Sequence, residues 1–253
     1  MRKQTEERIE KINQLFATYG EMTVRQIYYR LLGQLGLNYR QVCYLCKVGR
    51  EEGLISPSNI VDRSRPIYGK KMWEDKKDFV EGISDMFNLD YWIDSKVRPQ
   101  IWTEKDALSQ VLYDVAREYN VDVYVSRGFL SISNKDRWGG SNIAVLYFGD
   151  FDPSGLFIDK DLEVSVAFEN FERIALTEGM TKGLPSVPLK KKDPRTPSYV
   201  AQYGYDCGWE LDALDPNKLK DLVKKSIEKY VDFDLQQKKE EESEIRRQLY
   251  DIE

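Results

Sequence analysis

The sequence predicts an α/β chain in which a small helical unit with a β-wing precedes a parallel, Rossmann-like sheet. Three observations carry that expectation. Residues 5–52 hold three segments with helical apolar spacing, followed by a strand-like stretch with a basic tip. Residues 97–126 read as strand, helix, strand, the sign of a parallel pair with a helical crossover. A buried-looking strand then ends in AVLYFGDFDPSG (144–155), a run of apolar residues broken by two acids, proline and glycine.

In the helical unit, TEERIEKINQLFAT (5–18) places Ile9, Ile12, Leu15 and Phe16 on one face, and Gly20 closes the helix. Thr23 and Gln26 form a capping box that opens TVRQIYYRLLGQLG, whose apolar stripe is Val24, Ile27, Tyr28, Leu31 and Leu35. A third helix over about 39–52 turns Val42, Leu45 and Cys46 one way and Arg40, Tyr44, Lys47 and Arg50 another. GLISPSNIVDRSRPIYG then predicts short strands with Arg63 and Arg65 at their tip. Three helices and a wing describe a winged helix-turn-helix, with Arg40, Tyr44, Lys47, Arg50, Arg63 and Arg65 as the DNA-contacting set. The expected boundaries are 1–72 for this unit, 73–96 for a linker helix and 97–253 for the sheet domain with its C-terminal helices.

Charge follows the same division. The whole chain carries −5, but residues 1–72 hold 13 Lys/Arg against 7 Asp/Glu, and the remainder 25 against 36. A basic front suits a polyanion and an acidic back suits a cation-dependent site. There is no histidine, which removes Ser-His and Cys-His chemistry. One CxxC, Cys43 and Cys46, supplies too few ligands for zinc and reads as helix packing. No apolar run is long enough to span a membrane, and MRKQTEERIEK lacks the apolar core of a signal peptide; a cytoplasmic chain with no membrane partner is expected.

The sheet domain places acids where α/β folds bind ligands, at the carboxyl ends of strands. Glu104 follows the strand VRPQIWT, with a helix to about 119 and a strand at 121–126 behind it. Asp150 and Asp152 end the strand NIAVLYFGD; if it runs on through Asp152, both project to one side. Pro153 suits a first helical position, with Asp152 as N-cap. Asp215 and Pro216 repeat that pattern before DPNKLKDLVKKSIEKYV. Close carboxylates repel unless a cation sits among them, and Mg²⁺ takes hard oxygen ligands. Glu210 and Asp212, on an expected strand WELDAL, would share a face as further ligands or as solvated edge charges. No GxxxxGK[ST] is present, so Asp150 does not belong to a P-loop.

A strand-end glutamate followed by a helix (TEKDAL), then GDFDPSG at a later strand end, resembles the Toprim domain over about 97–232. That domain is shared by type IA, II and VI topoisomerases, bacterial primases and some nucleases. DPSG and the preceding VSRGFLS are most similar to the topoisomerase VI A subunit and its meiotic double-strand-break relatives, including short bacterial and phage members. The resemblance implies Mg²⁺ at Glu104, Asp150 and Asp152, a winged helix in front, and a cleaving tyrosine within TVRQIYYRLL. The family pattern matches Tyr29. Helical phase selects the same residue: Tyr28 falls in the apolar stripe, whereas Tyr29 lies about 140° from its centre and is expected to be exposed, one turn beyond Arg25. Free tyrosine is about one part in a thousand ionised at pH 7, so Arg25 and metal-bound phosphate would help form the phenolate.

The expected activity is therefore Mg²⁺-dependent DNA cleavage, with transesterification by Tyr29 favoured over hydrolysis by activated water. Cleavage of structured RNA and non-catalytic DNA binding are the competing classes. The relatives imply a homodimer in which the tyrosine of one protomer serves the metal of the other, and a separate ATPase or accessory subunit as a partner. The chain is shorter than a full A subunit and carries no ATPase domain of its own.

Overall fold

The computed structural model describes residues 3–60, 72–126, 142–165, 168–190 and 192–251. Its first three helices follow the local signals closely. Helix α1 (Lys3–Tyr19) ends at Gly20, whose φ of +74° suits a residue without Cβ. Helix α2 (Val24–Leu35) opens with the capping box, Thr23 accepting from the Gln26 N–H and Gln26 reaching back to the Thr23 N–H. Helix α3 (Tyr39–Glu51) opens with a second such box from Asn38 and Gln41, which the sequence reading did not single out. Ile9, Ile12, Ile27, Leu31, Val42, Leu45 and Cys46 close one apolar core among them. The stretch expected to start the wing is instead a 3-10 turn at Pro57–Asn59 with a single parallel bridge between Met22 and Ile60. Residues 61–71, including Arg63 and Arg65, lie outside the described residues.

Helix α4 (Lys76–Met86) leads to β1 (Arg98–Thr103). A 3-10 turn at Asp106–Leu108, helix α5 (Ser109–Ala116) and β2 (Val123–Val125) complete the expected crossover. Then come β3 (Ile143–Phe148), α6 (Pro153–Ser165) and β4 (Asn170–Ala175). The sheet has the order β2-β1-β3-β4 and every pair is parallel. A parallel sheet needs cover on both faces. Leu146 and Phe148 face a core with Leu108 of the 3-10 turn and Leu112 of α5, while Val145 and Tyr147 face Ile158 and Leu162 of α6.

The remaining chain closes the carboxyl edge. A two-residue antiparallel pair, β5 (Val187–Pro188) with β6 (Cys207–Gly208), brackets helix α7 (Thr196–Tyr203). Helix α8 (Pro216–Glu228) starts at Asp215, whose carboxylate accepts from the N–H groups of Asn217 and Lys218. It packs against α5, and α9 (Leu235–Tyr250) lies against α4. The expected strand WELDAL is corrected: only Trp209 pairs, with Phe151, and Leu211–Ala213 coil into a 3-10 turn. Hydrogen bonding explains the difference: the Leu211 N–H donates to Asp150 Oδ1, and the N–H groups of Ala213 and Leu214 donate to the Glu210 and Leu211 carbonyls, so none of these is left for a ladder.

Candidate functional site

The sheet order changes direction at β1 and β3, and their carboxyl ends lie side by side, Thr103 opposite Phe148. Glu104 and Asp150 follow directly. Glu104 Oε1 lies 3.4 Å from the Asp150 N–H. Strand β3 ends at Phe148, so Asp150 and Asp152 do not sit on one strand face. Asp152 instead begins helix α6, its Oδ1 accepting from the Gly155 N–H at 2.7 Å. Gly155 is required here: a Cβ would run into the Asp150 carbonyl and come within 3.3 Å of Glu104 Oε1.

The turn carrying Asp150 is braced on both sides. Phe151 and Trp209 exchange backbone hydrogen bonds at 2.8 and 2.9 Å. The Arg173 guanidinium, paired with Asp159, donates to the carbonyls of Gly149, Asp150 and Leu176. Asp150 Oδ1 accepts from the Leu211 N–H at 2.7 Å. This bracing holds the carboxylate fixed while its charge remains poorly solvated.

Lys105 is the residue that sequence reasoning passed over. Its ammonium lies 2.9 Å from Asp150 Oδ2, 2.9 Å from Asp212 Oδ2 and 3.9 Å from Glu210 Oε2. Three carboxylates thus converge on one cation. Its position directly after Glu104, at the same carboxyl edge of β1, was the available signal. Burial would lower the Lys105 pKa, but Asp150, Asp212 and Glu210 outweigh it and hold it above its ordinary value. Asp212 is 2% exposed, and its Oδ1 has no hydrogen-bond partner among the described residues.

Burial pushes the Asp150 pKa up to about 7, with Glu104 adding to the rise and Lys105 and the Leu211 N–H opposing it. Burial also raises Glu104, assisted by Asp152. Glu210 moves the other way: Lys105, Arg25 and Tyr29 overcome its burial and lower it.

Tyr29 corrects the helical-phase expectation. It is 6% exposed, whereas Tyr28 is only partly buried against the helical core. The phase describes packing inside the helical unit, but the opposite face of α2 is covered by the loop before α8. Arg25 Nη1 lies 2.6 Å from both carboxylate oxygens of Glu210. Arg30 bonds the Ala213 carbonyl and stands 3.4 Å from Asp215. Tyr29, between these arginines, approaches Glu210, and burial followed by that carboxylate raises its pKa; Arg25 and Lys105 act against the rise. Arg25 pairs with Glu210 and only partly offsets the rise of the phenol. The series Tyr29, Glu210, Lys105, Asp150 joins α2 to the sheet edge within one chain.

On α3, Arg40, Lys47 and Arg50 are exposed, and Tyr44 is 62% exposed. Lys47 makes a loose pair with Glu51 at 3.7 Å, and Arg50 bonds the Cys46 carbonyl. Among the described residues, no three Cys, Asp or Glu are gathered into a set that could hold a metal ion. The acids that the resemblance assigns to a metal, Glu104, Asp150 and Asp152, are hard carboxylate donors; here Lys105 and the Leu211 N–H engage the two oxygens of Asp150, and the Gly155 N–H engages one of Asp152. Compared with models of known protein families, with curated proteins and with solved structures, the chain matches none.

Proposed function

We propose that this protein is a Mg²⁺-dependent DNA-cleaving enzyme of the Toprim type, in which Tyr29 attacks the phosphodiester. The observation that supports this reading most is the cis series from Tyr29 through Glu210 and Lys105 to Asp150. It draws together a tyrosine and acids from segments more than a hundred residues apart. The parallel sheet with acids at the carboxyl ends of its two central strands supports the same reading.

Glu104, Asp150 and Asp152 would hold Mg²⁺, which when bound draws charge from the phosphate oxygens. Lys105 keeps Asp150 and Asp212 in place and offsets part of their charge. In transesterification the Tyr29 oxygen bonds to phosphorus as it gives up its proton. One phosphorus–sugar oxygen bond breaks, and the leaving sugar oxygen takes up a proton. The exposed basic face of α3 supplies contacts to backbone phosphates. The pairing occurs within one chain, so a homodimer would be needed for cutting both strands rather than for completing one site.

The burial and raised pKa of Tyr29 favour one second reading, hydrolysis by water at the same carboxylates. A single assay separates them. Supercoiled plasmid is incubated with protein and Mg²⁺, denatured with detergent, and tested for DNA that stays bound to protein until protease is added. Covalent product that is lost in Tyr29→Phe supports transesterification. Protein-free cut ends with parental activity in Tyr29→Phe support hydrolysis, and no cutting at all rejects both.

A further inference from the structure

The seam between α2 and the sheet unit differs from the interior on either side of it. Among the described residues, the apolar core of the helical unit and the cores on the two faces of the sheet share no residue, and Tyr29 belongs to none of them. What crosses the seam is charge: Arg25 to Glu210, and Arg30 to Asp215 and the Ala213 carbonyl. Beside it lies a cleft of about 370 Å³, lined by Tyr19, Thr23 and Gln26 on one side and by Gln110, Asp114 and Lys220 on the other. The arginines are incompletely served. Among the described residues Arg30 Nε is buried without a hydrogen-bond partner, and both oxygens of Glu210 meet a single nitrogen of Arg25.

Guanidinium groups bind carboxylate and phosphate through the same donor geometry. We propose that Arg25 and Arg30 form a binding site for DNA backbone phosphates, and that Glu210 and Asp215 of the same chain occupy it as anionic surrogates until DNA displaces them. This rests on the cleavage reading above and adds its regulation. In the described state Tyr29 is covered by the acidic loop, so no phosphodiester reaches it. Transfer of the arginines from carboxylate to phosphate would release α2 from the loop and uncover the hydroxyl. The exchange is close to neutral in charge pairing, because one anion replaces another. A seam without a shared apolar core can open without exposing either interior to water.

The test uses the full chain in EDTA, where no metal-dependent cutting occurs. Affinity for a short duplex DNA is measured for the parent, Glu210→Gln, Arg25→Gln and the double variant. Freeing one charge-assisted arginine contact should tighten Glu210→Gln by about tenfold, and adding Arg25→Gln should erase the gain. Equal affinity in parent and Glu210→Gln, or a gain that survives Arg25→Gln, overturns the proposal. Hydrogen exchange supplies the second measure. Residues 24–35 and 205–215 should exchange faster in Glu210→Gln, and in the parent at high salt, while 143–148 stay protected and report an intact fold. Unchanged exchange in both cases also overturns it. The outcomes separate from those of the cleavage reading: a tighter Glu210→Gln with no plasmid cutting by the parent leaves the phosphate site and removes the enzyme, and the reverse leaves the enzyme and removes the surrogate.

Discussion

Glu242 and Asp212 are both carboxylates that the fold hides almost entirely, 8% and 2% exposed, yet their surroundings differ in kind. Glu242, on α9, accepts from the Leu89 N–H at 2.8 Å and from Asn120 Nδ2 at 3.0 Å, and pairs with Arg246 at 2.9 Å. Its charge has partners on several sides, and it ties α9 to the segment leading into the sheet. Asp212 shares one ammonium with Asp150 and Glu210 and leaves an oxygen without a hydrogen-bond partner among the described residues. A buried charge that is fully satisfied holds structure together. A buried cluster with more anions than cations stores an attraction for further positive charge.

Breaking that contrast begins with activity. Asp150→Ala and Tyr29→Phe should each lower covalent DNA cleavage by more than about a thousandfold, whereas Glu242→Ala should leave the rate per folded molecule within about twofold. A comparable loss from Glu242→Ala, corrected for folded fraction, would erase the distinction. Stability should respond in the opposite sense. Glu242→Ala strands the Leu89 N–H, while the Asn120 amide keeps the Leu89 carbonyl, and should cost about 2 kcal/mol in urea unfolding. Asp212→Asn removes one of three anions from one ammonium and should stay within about 1 kcal/mol of the parent. A larger loss from Asp212→Asn than from Glu242→Ala would reverse the assignment.

Calorimetry sharpens the contrast. Mg²⁺ binding should be lost in Asp150→Ala and weakened in Asp152→Ala, and retained in Glu242→Gln; equal affinity in all three would remove Glu104, Asp150 and Asp152 as the metal site.

Proton linkage gives a smaller effect. Burial raises Asp150 from its ordinary 3.8 to about 7, so between those values the folded chain holds a proton that the unfolded chain has released. Its contribution is therefore stabilising at low pH and is lost as pH rises through about 7. Metal-free melting temperatures of the parent should fall more steeply across that window than those of Asp150→Asn; parallel slopes would contradict the shift. The smallest change per residue belongs to the surface. Replacing Arg40, Lys47 and Arg50 with Ala should reduce the salt dependence of duplex binding, by about 0.9 in log–log slope for each phosphate contact removed. An unchanged slope would move the DNA face away from α3.

Much of this architecture was legible from local signals. The capping box at Thr23, the Asp215-Pro216 helix start, β1, α5 and the strand before Asp150 all rest on interactions within a few residues. Glu104 and Asp150 were placed at one edge because parallel strands leave no other arrangement of their ends. What escaped depended on distant contacts. Tyr29 is buried by a loop some 180 residues away, which no helical wheel of α2 contains. Strand β4 carries Glu172 and Arg173 in its middle and lacks an apolar run, and α7 is only eight residues long and follows a lysine-rich stretch. Lys105 was legible as a residue but not as the cation around which Asp150, Glu210 and Asp212 gather.

The separateness of the apolar interiors has a consequence for how the molecule comes apart. Cooperative unfolding requires that loss of one region raise the free energy of its neighbour, and here the coupling between the helical unit and the sheet passes mainly through Arg25–Glu210 and Arg30–Asp215. Ionic strength therefore sets how many transitions the chain displays. In dilute buffer a single calorimetric peak is expected. In concentrated salt it should divide into two, with the helical unit melting as a body of its own.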